Sequence, residues 1–161
     1  MSGRLQKITP FLWFDNQAEE AVKFYVSVFP NSSIGRKTYY GEAGPRPKGT
    51  VMTVAFDLDG QSFAALNGGP MFKFTEAVSF VVNCESQAEV DRYWELLSAG
   101  GIEQCGWVKD KFGLSWQIVP VAFIEMIQDG DPAGVERAMK AMMVMKKLDL
   151  AALEKAYRGE A

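Results

Sequence analysis

Few residues in this sequence are of the types that do covalent or metal chemistry. It contains no histidine, and its two cysteines, Cys84 and Cys105, are too far apart for a CxxC motif. The absence of histidine rules out Ser-His-Asp triads, Cys-His pairs and every metal site with an imidazole ligand. In a reducing compartment we expect two free thiols that are mostly buried, rather than a functional pair.

A glutamine stands at the centre of an apolar stretch. FGLSWQIVP, residues 112–120, alternates as a strand does, with Leu114, Trp116 and Ile118 on one face. Gln117 lies on the other face. One interpretation is an amide that faces a cavity and hydrogen-bonds a ligand, a water or neighbouring polar groups. The other is a core glutamine bonded to the backbone, because buried amides normally find partners.

Composition and charge indicate an ordinary globular protein. The 161 residues are 48% hydrophobic and 23% charged, enough for one domain with a sizeable core. The net charge is −3 and no basic cluster interleaved with aromatics occurs, which disfavours nucleic-acid binding. The start, MSGRLQKITPFLWF, has no apolar run long enough for a signal peptide or a membrane span. We therefore predict a cytoplasmic protein with no membrane partner.

The sequence predicts the same series of elements twice: a strand, a helix and then further strands. In the first series the strands are residues 7–14, 33–40, 50–58 and 61–67, and Asp59-Gly60 indicates a hairpin between the last two. In the second series the strands are residues 77–83, 103–108 and 114–120, with Lys111–Phe112 as a further candidate. Because there are two copies only, the pattern indicates an internal βαβββ duplication rather than a solenoid.

Each of the two predicted helices begins with the spacing of a capping box. Asn16 is followed three residues later by Glu19, and Ser86 is followed in the same way by Glu89. In a capping box the side chain of the first residue accepts a hydrogen bond from the third residue of the helix. We therefore expect Asn16 and Ser86 to be N-caps.

The C-terminal third is predicted to be helical. A short helix follows the last strand, Asp131-Pro132 opens a second helix that runs to about Lys146, and Asp149 caps a third. The same region holds Met139, Met142, Met143 and Met145. Such methionines are more typical of adaptable core or dimer packing than of a ligand site. The sequence thus predicts a single domain over residues 1–161, in which units 7–67 and 77–120 precede a helical tail, 121–158.

Several motifs within this duplicated layout match a known superfamily. They are ITPFLWF, EEAVKFY, ALNGGP, SFVV, FGLSWQIVP and MMVMKKLDLAALEKAY. Together they resemble the vicinal oxygen chelate superfamily, which includes glyoxalase I, the bleomycin-resistance proteins and extradiol dioxygenases. The sequence is most similar to its PhnB-like branch, often labelled a 3-demethylubiquinone-9 3-methyltransferase domain. The resemblance covers nearly the whole chain and implies an α+β fold, with tandem βαβββ units forming a glyoxalase-like half-open barrel and a C-terminal helical tail.

The resemblance also implies where ligands would be held. In the metal-dependent relatives, His, Gln and Glu side chains project from the strands into a central cavity. The matching positions here are Thr9, the face of Ala65 and Asn67, the face of Ala77 and Ser79, and Gln117. Neutral hydroxyl and amide groups are poor ligands for a divalent transition metal. The resemblance therefore implies a polar ring that binds neither a metal ion nor another cofactor.

Aromatic residues complete the predicted ligand-binding site. Phe11 and Trp13 share the strand face of Thr9, and Trp107, Phe72 and Phe74 lie on segments that would rim the cavity. One interpretation is a pocket for a flat aromatic or quinone-like ligand. The other is a set of aromatic side chains that fill the barrel as core.

Three functions are compatible with these residues. The first is a metal-independent small-molecule-binding protein, similar to resistance proteins that sequester drugs. The second is an enzyme of the same superfamily that acts on a small aromatic or quinone-like substrate, with Asp57, Glu125 or Cys84 as base or nucleophile. The methyltransferase label would require a site for S-adenosylmethionine, but no predicted strand is followed by a G-x-G loop that opens a helix. The third is an interaction module that uses the Met-rich tail. We expect the first, and a homodimer, which the resemblance suggests.

Overall fold

The computed structural model describes residues 5–160. The chain forms two compact units, of which one ends at Lys73 and the other begins at Phe74. Each unit has its own open four-stranded sheet, and further helices follow the second sheet. The predicted α+β class, with two βαβββ units followed by a helical segment, is confirmed. The predicted organisation as a single domain stays a prediction.

The first unit contains β1 (Phe11–Phe14), α1 (Ala18–Val28), β2 (Ser33–Tyr39), β3 (Val51–Leu58) and β4 (Gln61–Asn67). Its strand order is β1-β4-β3-β2, with β1 parallel to β4 and the other pairs antiparallel. The predicted hairpin at Asp59-Gly60 is confirmed. Both residues have positive φ, 48° and 80°, as a two-residue turn between twisted strands requires.

The first strand is shorter than predicted, because residues 7–10 lie outside it. Pro10 has no N–H to donate, although its carbonyl accepts a hydrogen bond from Ala64 N at 2.9 Å. Ile8 is 85% exposed, so its side chain gains little by joining the sheet. As a consequence Thr9 precedes β1 rather than lying in it.

A side chain from a distant strand caps α1. The N-cap position, Gln17, makes no side-chain capping hydrogen bond. Instead Asn67 Oδ1 accepts a hydrogen bond from Ala18 N at 2.8 Å. The predicted cap at Asn16 is therefore wrong, and Glu19 pairs with Lys37 Nζ at 2.7 Å instead of closing a capping box.

The second unit repeats the strand order of the first. It contains β5 (Ser79–Cys84), α2 (Gln87–Leu97), β6 (Gly101–Ile102), β7 (Trp107–Lys109) and β8 (Ser115–Pro120), with the order β5-β8-β7-β6. Again the first and last strands are parallel and the other pairs antiparallel. This identical order in the two sheets confirms the predicted βαβββ duplication.

The capping box predicted for α2 is confirmed in its main contact. Ser86 Oγ accepts a hydrogen bond from Glu89 N at 3.2 Å. The Glu89 carboxylate accepts a hydrogen bond from Glu85 N at 2.7 Å, one residue earlier than the standard pattern. Two donors at the helix start are thus satisfied by local residues.

A turn interrupts the strand predicted over residues 103–108. Cys105 and Gly106 have φ values of 59° and 84°, a conformation that a strand does not adopt. Their backbone N–H groups donate to the carbonyls of Met145 and Lys146, each at 2.8 Å. The backbone of this turn is therefore hydrogen-bonded to a segment in the middle of the helical tail instead of to a neighbouring strand.

Each sheet is covered by its own helix on one face. On β8, Trp116 and Ile118 are buried on the face that α2 covers, together with Val108 of β7. Because strand side chains alternate, Ser115 and Gln117 lie on the opposite face. In the first unit, the same alternation separates buried Leu12 and Phe14 from Phe11 and Trp13.

Three helices follow the second sheet: α3 (Val121–Asp129), α4 (Pro132–Met143) and α5 (Leu150–Tyr157). The predicted caps are confirmed, since Asp131 accepts a hydrogen bond from Gly134 N and Asp149 accepts one from Ala152 N, each at 3.0 Å. The core of this region is Phe123, Ala138, Leu148 and Leu153. No helix in the described part of the chain is long and apolar enough to span a bilayer.

Most of the tail methionines serve packing. Met139, Met142 and Met145 are partly buried against this helical core, whereas Met143 is 61% exposed beside Val144. Flexible thioether side chains suit such irregular packing. Packing is therefore the main role of these methionines, and the interaction module that uses the tail stays a hypothesis.

Candidate ligand-binding site

One face of the second sheet brings together three of the predicted site residues. Gln117 on β8 is in register with Trp107 on β7 and with Val81 on β5, so these side chains are neighbours across the sheet. Gln117 Nε2 donates a hydrogen bond to Ser79 Oγ at 2.9 Å. We call the surface that carries Ser79, Trp107 and Gln117 the glutamine face.

The position of Gln117 bears on both interpretations of this residue. Its side chain is half-buried, and its hydrogen bond goes to another side chain rather than to the backbone. That bond uses one amide hydrogen of Gln117 and one lone pair of Ser79. It leaves the Gln117 carbonyl oxygen, a second amide hydrogen and the Ser79 hydroxyl hydrogen with capacity for further bonds. The face can therefore both donate and accept.

The row of residues next to Gln117 contains polar groups that the sequence analysis did not select. Ser115 lies in register with Ser79 on one side and with Lys109 on the other. Lys109 Nζ pairs with Glu76, and with Glu103 at 3.4 Å. The one feature of the sequence that indicates Ser115 is its spacing of two residues from Gln117, which places both side chains on the same face of the strand. No local pattern links Glu76, Lys109 and Glu103, because they meet only through strand pairing.

The opposite charges in this row stabilise one another. The hydrogen bond with Glu76 raises the pKa of Lys109 above its ordinary value, and the Glu103 carboxylate acts in the same direction. The same hydrogen bond lowers the pKa of Glu76. Lys109 is therefore an ammonium group at neutral pH, so it can donate hydrogen bonds but cannot act as a base.

A buried carboxylate fixes the turn that leads into β8. Asp110 is fully buried, and its Oδ1 accepts hydrogen bonds from Phe112 N at 2.8 Å and Leu114 N at 3.1 Å. Its Oδ2 accepts a hydrogen bond from Trp116 Nε1 at 2.8 Å. Gly113 completes the turn with a φ of 88°. These contacts set where β8 begins, and hence which face Gln117 occupies.

The first unit presents an exposed aromatic group on the corresponding face of its sheet. Trp13 and Phe72 meet edge to face with ring centroids 4.9 Å apart, and Trp13 Nε1 donates to the Gly69 carbonyl at 2.9 Å. Phe11 is 58% exposed and Phe72 59% exposed. These residues therefore do not fill a core in this unit. Phe74 belongs to the other unit and is half-buried.

Two predicted ring residues do not lie on these faces. Thr9 is exposed before β1, and its hydroxyl donates to the Gln6 carbonyl at 3.1 Å. Asn67 lies in register with buried Phe14, on the helix-facing side of the first sheet. The expectation that Asn67 shares a face with Trp13 is therefore wrong. The physical reason is that its amide is needed at the N-terminus of α1.

Asn67 instead borders a cavity of about 410 Å³ at the N-terminus of α1. The cavity is lined by Asn16, Glu19, Arg46, Gly49, Thr50, Val51 and Asn67. Asn67 Nδ2 donates to the Val51 carbonyl at 3.2 Å, so both ends of the amide are used. Arg46 Nη1 lies 3.7 Å from Asp15 Oδ1, and the Glu19 carboxylate is paired with Lys37 Nζ. The charged and amide side chains of this lining are therefore engaged in contacts within the protein.

The three groups suggested as a catalytic base or nucleophile are poorly placed for that role. Asp57 accepts a hydrogen bond from Ser62 Oγ at 2.7 Å, and Glu125 is exposed on α3. Burial raises the pKa of the Cys84 thiol to about 12, with a smaller contribution from the charge of Glu89. Cys84 is fully buried, so neither its protonation nor its access favours nucleophilic attack.

The two thiols should differ strongly in reactivity. With a pKa of about 12, about one part in ten thousand of Cys84 is thiolate at pH 8, and its side chain is inaccessible. We expect iodoacetamide to label half-buried Cys105 at least tenfold faster than Cys84 in the native protein, read by peptide mass spectrometry. In guanidinium the two rates should converge. Equal native rates would contradict this placement of Cys84.

Comparison with known proteins agrees with the duplicated fold. Residues 6–119 match the family model described as 3-demethylubiquinone-9 3-methyltransferase. The chain belongs to this family. The PhnB protein of Bacillus cereus is 39% identical, with a TM-score of 0.65, over 71% of this chain and 99% of that chain. The PhnB-like recognition made from the sequence is thus confirmed.

Another solved structure, less similar in sequence, resembles the fold of this 3-demethylubiquinone-9 3-methyltransferase family member. PA1353 from Pseudomonas aeruginosa is 20% identical, with a TM-score of 0.58, over 72% of this chain and 98% of that chain. A glyoxylase/bleomycin resistance protein/dioxygenase domain from Frankia sp. EAN1pec is 13% identical over 73% of this chain and 93% of that chain, with a TM-score of 0.45. No curated protein matches the chain.

The donor set of this PhnB-like chain does not fit a divalent metal ion. The positions that the resemblance matches to metal ligands carry hydroxyl and amide groups, and within the first unit Thr9 precedes β1 while Asn67 lies on the face opposite Trp13. Within residues 5–160, no three His, Cys, Asp or Glu side chains cluster in a way that could hold a metal. Neutral amides neither match the softness of a transition metal nor offset its charge.

Proposed function

We propose that this chain is a metal-independent small-molecule-binding protein and that the glutamine face binds its ligand. The single observation that carries the proposal is the Gln117–Ser79 hydrogen bond beside Trp107. It holds a half-buried amide in one orientation next to an aromatic ring. A few oriented polar groups beside aromatic surface are the usual composition of a small-molecule site. The positions that match the metal ligands of relatives carry neutral hydroxyl and amide groups, which supports binding without a metal ion.

The chemistry of this face favours a planar ligand with at least one carbonyl oxygen. The indole of Trp107 offers a flat apolar surface for stacking, worth roughly 0.5–1.5 kcal/mol beyond the burial of area. The second amide hydrogen of Gln117 and the hydroxyl hydrogen of Ser79 can each donate to a carbonyl. Aromatic lactones, ketones and quinone-like compounds combine these two features.

The proposal is tested with coumarin, an unreactive planar lactone. We expect coumarin to raise the midpoint of thermal unfolding in a concentration-dependent way, because a ligand that binds only the native state stabilises it. Gln117→Ala should weaken coumarin binding about tenfold, the loss of about one hydrogen bond, and Trp107→Ala should weaken it more. Isothermal titration calorimetry in the presence of EDTA or of zinc should give the same affinity.

A matched substitution separates a site from a general effect. Gln128 is exposed on α3, so Gln128→Ala should leave coumarin binding unchanged. If Gln117→Ala and Gln128→Ala bind coumarin with equal affinity, the glutamine face is not the site. If zinc is required for binding, the metal-independent part of the proposal is wrong.

The remaining sequence predictions belong with this proposal: a cytoplasmic homodimer without a nucleic-acid or membrane partner. Val78 is 64% exposed immediately before the edge strand β5, which supports a self-association surface along that edge. Sedimentation equilibrium tests the dimer. A monomer mass at micromolar concentration would contradict it.

A further inference from the structure

The helical tail is joined to the turn that carries Trp107. The family model matches residues 6–119, so α3, α4 and α5 follow the matched part of the chain. Between α4 and α5, the carbonyls of Met145 and Lys146 accept hydrogen bonds at 2.8 Å from the two residues that precede Trp107. We call residues 145–148 the docking segment.

The docking segment also packs closely against this turn. Leu148 is fully buried, and a Cβ atom at Gly106 would lie 3.1 Å from Leu148 Cγ. The Gly106 carbonyl in turn accepts a hydrogen bond from Ile118 N at 2.8 Å, on the strand that carries Gln117. The docking segment therefore lies directly against the turn that places Trp107 beside Gln117.

One side chain on α2 holds the backbone of the docking segment. Gln87 Nε2 donates a hydrogen bond to the Leu148 carbonyl at 3.0 Å, and Gln87 Oε1 accepts one from Leu150 N at 2.8 Å. Lys147 Nζ adds an ion pair with Asp91 Oδ1 at 2.8 Å, but both side chains are about half-exposed and such pairs contribute little. Gln87 thus fixes the docking segment relative to α2 with both ends of its amide.

The tail also borders the glutamine face at one end. Strand alternation puts Val119 on the same face as Gln117, two residues further along β8. Val119 packs against the core of the tail, whereas Val81, which is in register with Gln117, is 48% exposed. The tail therefore meets the face about 7 Å beyond Gln117, the distance between alternate residues of a strand.

We infer that the helical tail is part of the ligand site: the docking segment holds Trp107 in the orientation that the ligand requires. Gln87 and Leu148 are then positioning residues that act through Trp107. A ligand binds more tightly when the groups that it meets are already ordered, because less side-chain freedom is lost on binding. Loosening the docking segment should therefore weaken binding. The inference rests on the proposed function, because it concerns the same face.

The orientation of Trp107 is measured without a ligand by fluorine NMR. The chain has four tryptophans, so 5-fluorotryptophan labelling gives four signals, and Trp107→Phe identifies the signal of Trp107 by its loss. Gln87→Ala removes the two hydrogen bonds to the docking segment and should shift or broaden the Trp107 signal. The signal of Trp13, which belongs to the other unit, should not move. An unchanged Trp107 signal in Gln87→Ala would overturn the inference.

Ser86→Ala is the matched control, at the neighbouring residue of the same helix start. Ser86 caps α2 through Glu89 N, so its loss should lower the thermal midpoint and leave the Trp107 signal unchanged. Coumarin binding, titrated calorimetrically below the unfolding transition, should be about fivefold weaker in Gln87→Ala and unchanged in Ser86→Ala. Equal losses of affinity in the two variants would assign the effect to general destabilisation and contradict the inference.

The outcomes also separate this inference from the proposed function. If Gln117→Ala weakens coumarin binding but Gln87→Ala does not, the proposed function stands and the tail is not part of the site. If coumarin does not bind the unaltered protein, the proposed function fails, whereas a moved Trp107 signal still supports the positioning of Trp107 by the docking segment. If the signal moves and both substitutions weaken binding, both are supported.

Discussion

Replacing Asp110 with asparagine is expected to lower the free energy of unfolding by about 3 kcal/mol. The carboxylate accepts hydrogen bonds from two backbone N–H groups and from the indole of Trp116, and it is fully buried. The single side-chain oxygen of an asparagine can accept hydrogen bonds either from the two backbone N–H groups or from the indole N–H, but not from both. Its NH₂ then faces the other N–H donors, so at least one buried donor loses its partner.

Urea unfolding with linear extrapolation measures this effect, and a double-mutant cycle assigns it. Trp116→Phe removes the indole N–H, so in the double variant the amide no longer opposes that donor. We expect Asp110→Asn and Trp116→Phe to be coupled by at least about 1 kcal/mol. Asp129→Asn, at an exposed position on α3, should stay within about 0.5 kcal/mol of the unaltered protein. Additive effects of the two core substitutions would contradict the Asp110–Trp116 contact.

Asn67→Ala is expected to destabilise the protein by about 2 kcal/mol. The side chain caps α1 through Ala18 N and donates to the Val51 carbonyl, so its truncation removes two hydrogen bonds at once. The cost is expected to stay near this value because the neighbouring cavity lets water reach the exposed groups. Thermal and urea unfolding provide the measurement.

Asn16→Ala is the matched control for this cap. Asn16 was the cap predicted from the sequence, but it is exposed and α1 begins without a local side-chain cap. We expect Asn16→Ala to change the unfolding free energy by less than about 0.5 kcal/mol. The cap assignment fails if Asn16→Ala destabilises the protein more than Asn67→Ala does.

These two residues illustrate how the site depends on the fold around it. Asp110 fixes the start of β8, so its loss should disturb the positions of Ser115 and Gln117 as well as stability. Asn67 acts within the other unit, where it caps α1. Coumarin binding measured below the unfolding transition should therefore fall in Asp110→Asn and persist in Asn67→Ala.

Local signals predicted much of the secondary structure correctly. Asp59-Gly60 formed its hairpin, and Ser86, Asp131 and Asp149 capped the helices that follow them. Each of these signals depends on interactions within four residues of the chain, which neighbouring side chains and backbone decide on their own. The strand predicted at residues 103–108 is correct only at Trp107 and Val108, because a turn at Cys105 and Gly106 makes its hydrogen bonds with the distant tail.

The candidate site was predictable only in part. Alternation along FGLSWQIVP correctly separated Gln117 from Trp116, and the structure joins Gln117 to Ser79 by a hydrogen bond, although their role as ligand-binding residues stays a prediction. The same reasoning put Asn67 on the wrong side, since its side chain serves a helix that begins 49 residues earlier in the chain. The predicted ring, which takes residues from both units, stays a prediction.

The sequence by itself determined the duplicated βαβββ order, the caps at Ser86, Asp131 and Asp149, the Asp59-Gly60 hairpin, the family, and the lack of imidazole chemistry, because these depend on residue types and short spacings. Tertiary structure alone decided that Asn67 caps α1, that Asp110 is buried and accepts hydrogen bonds from three N–H donors, and that Glu76 pairs with Lys109. The physical reason is that strand pairing joins residues far apart in the chain. Their contacts follow from register and burial, which no local pattern records.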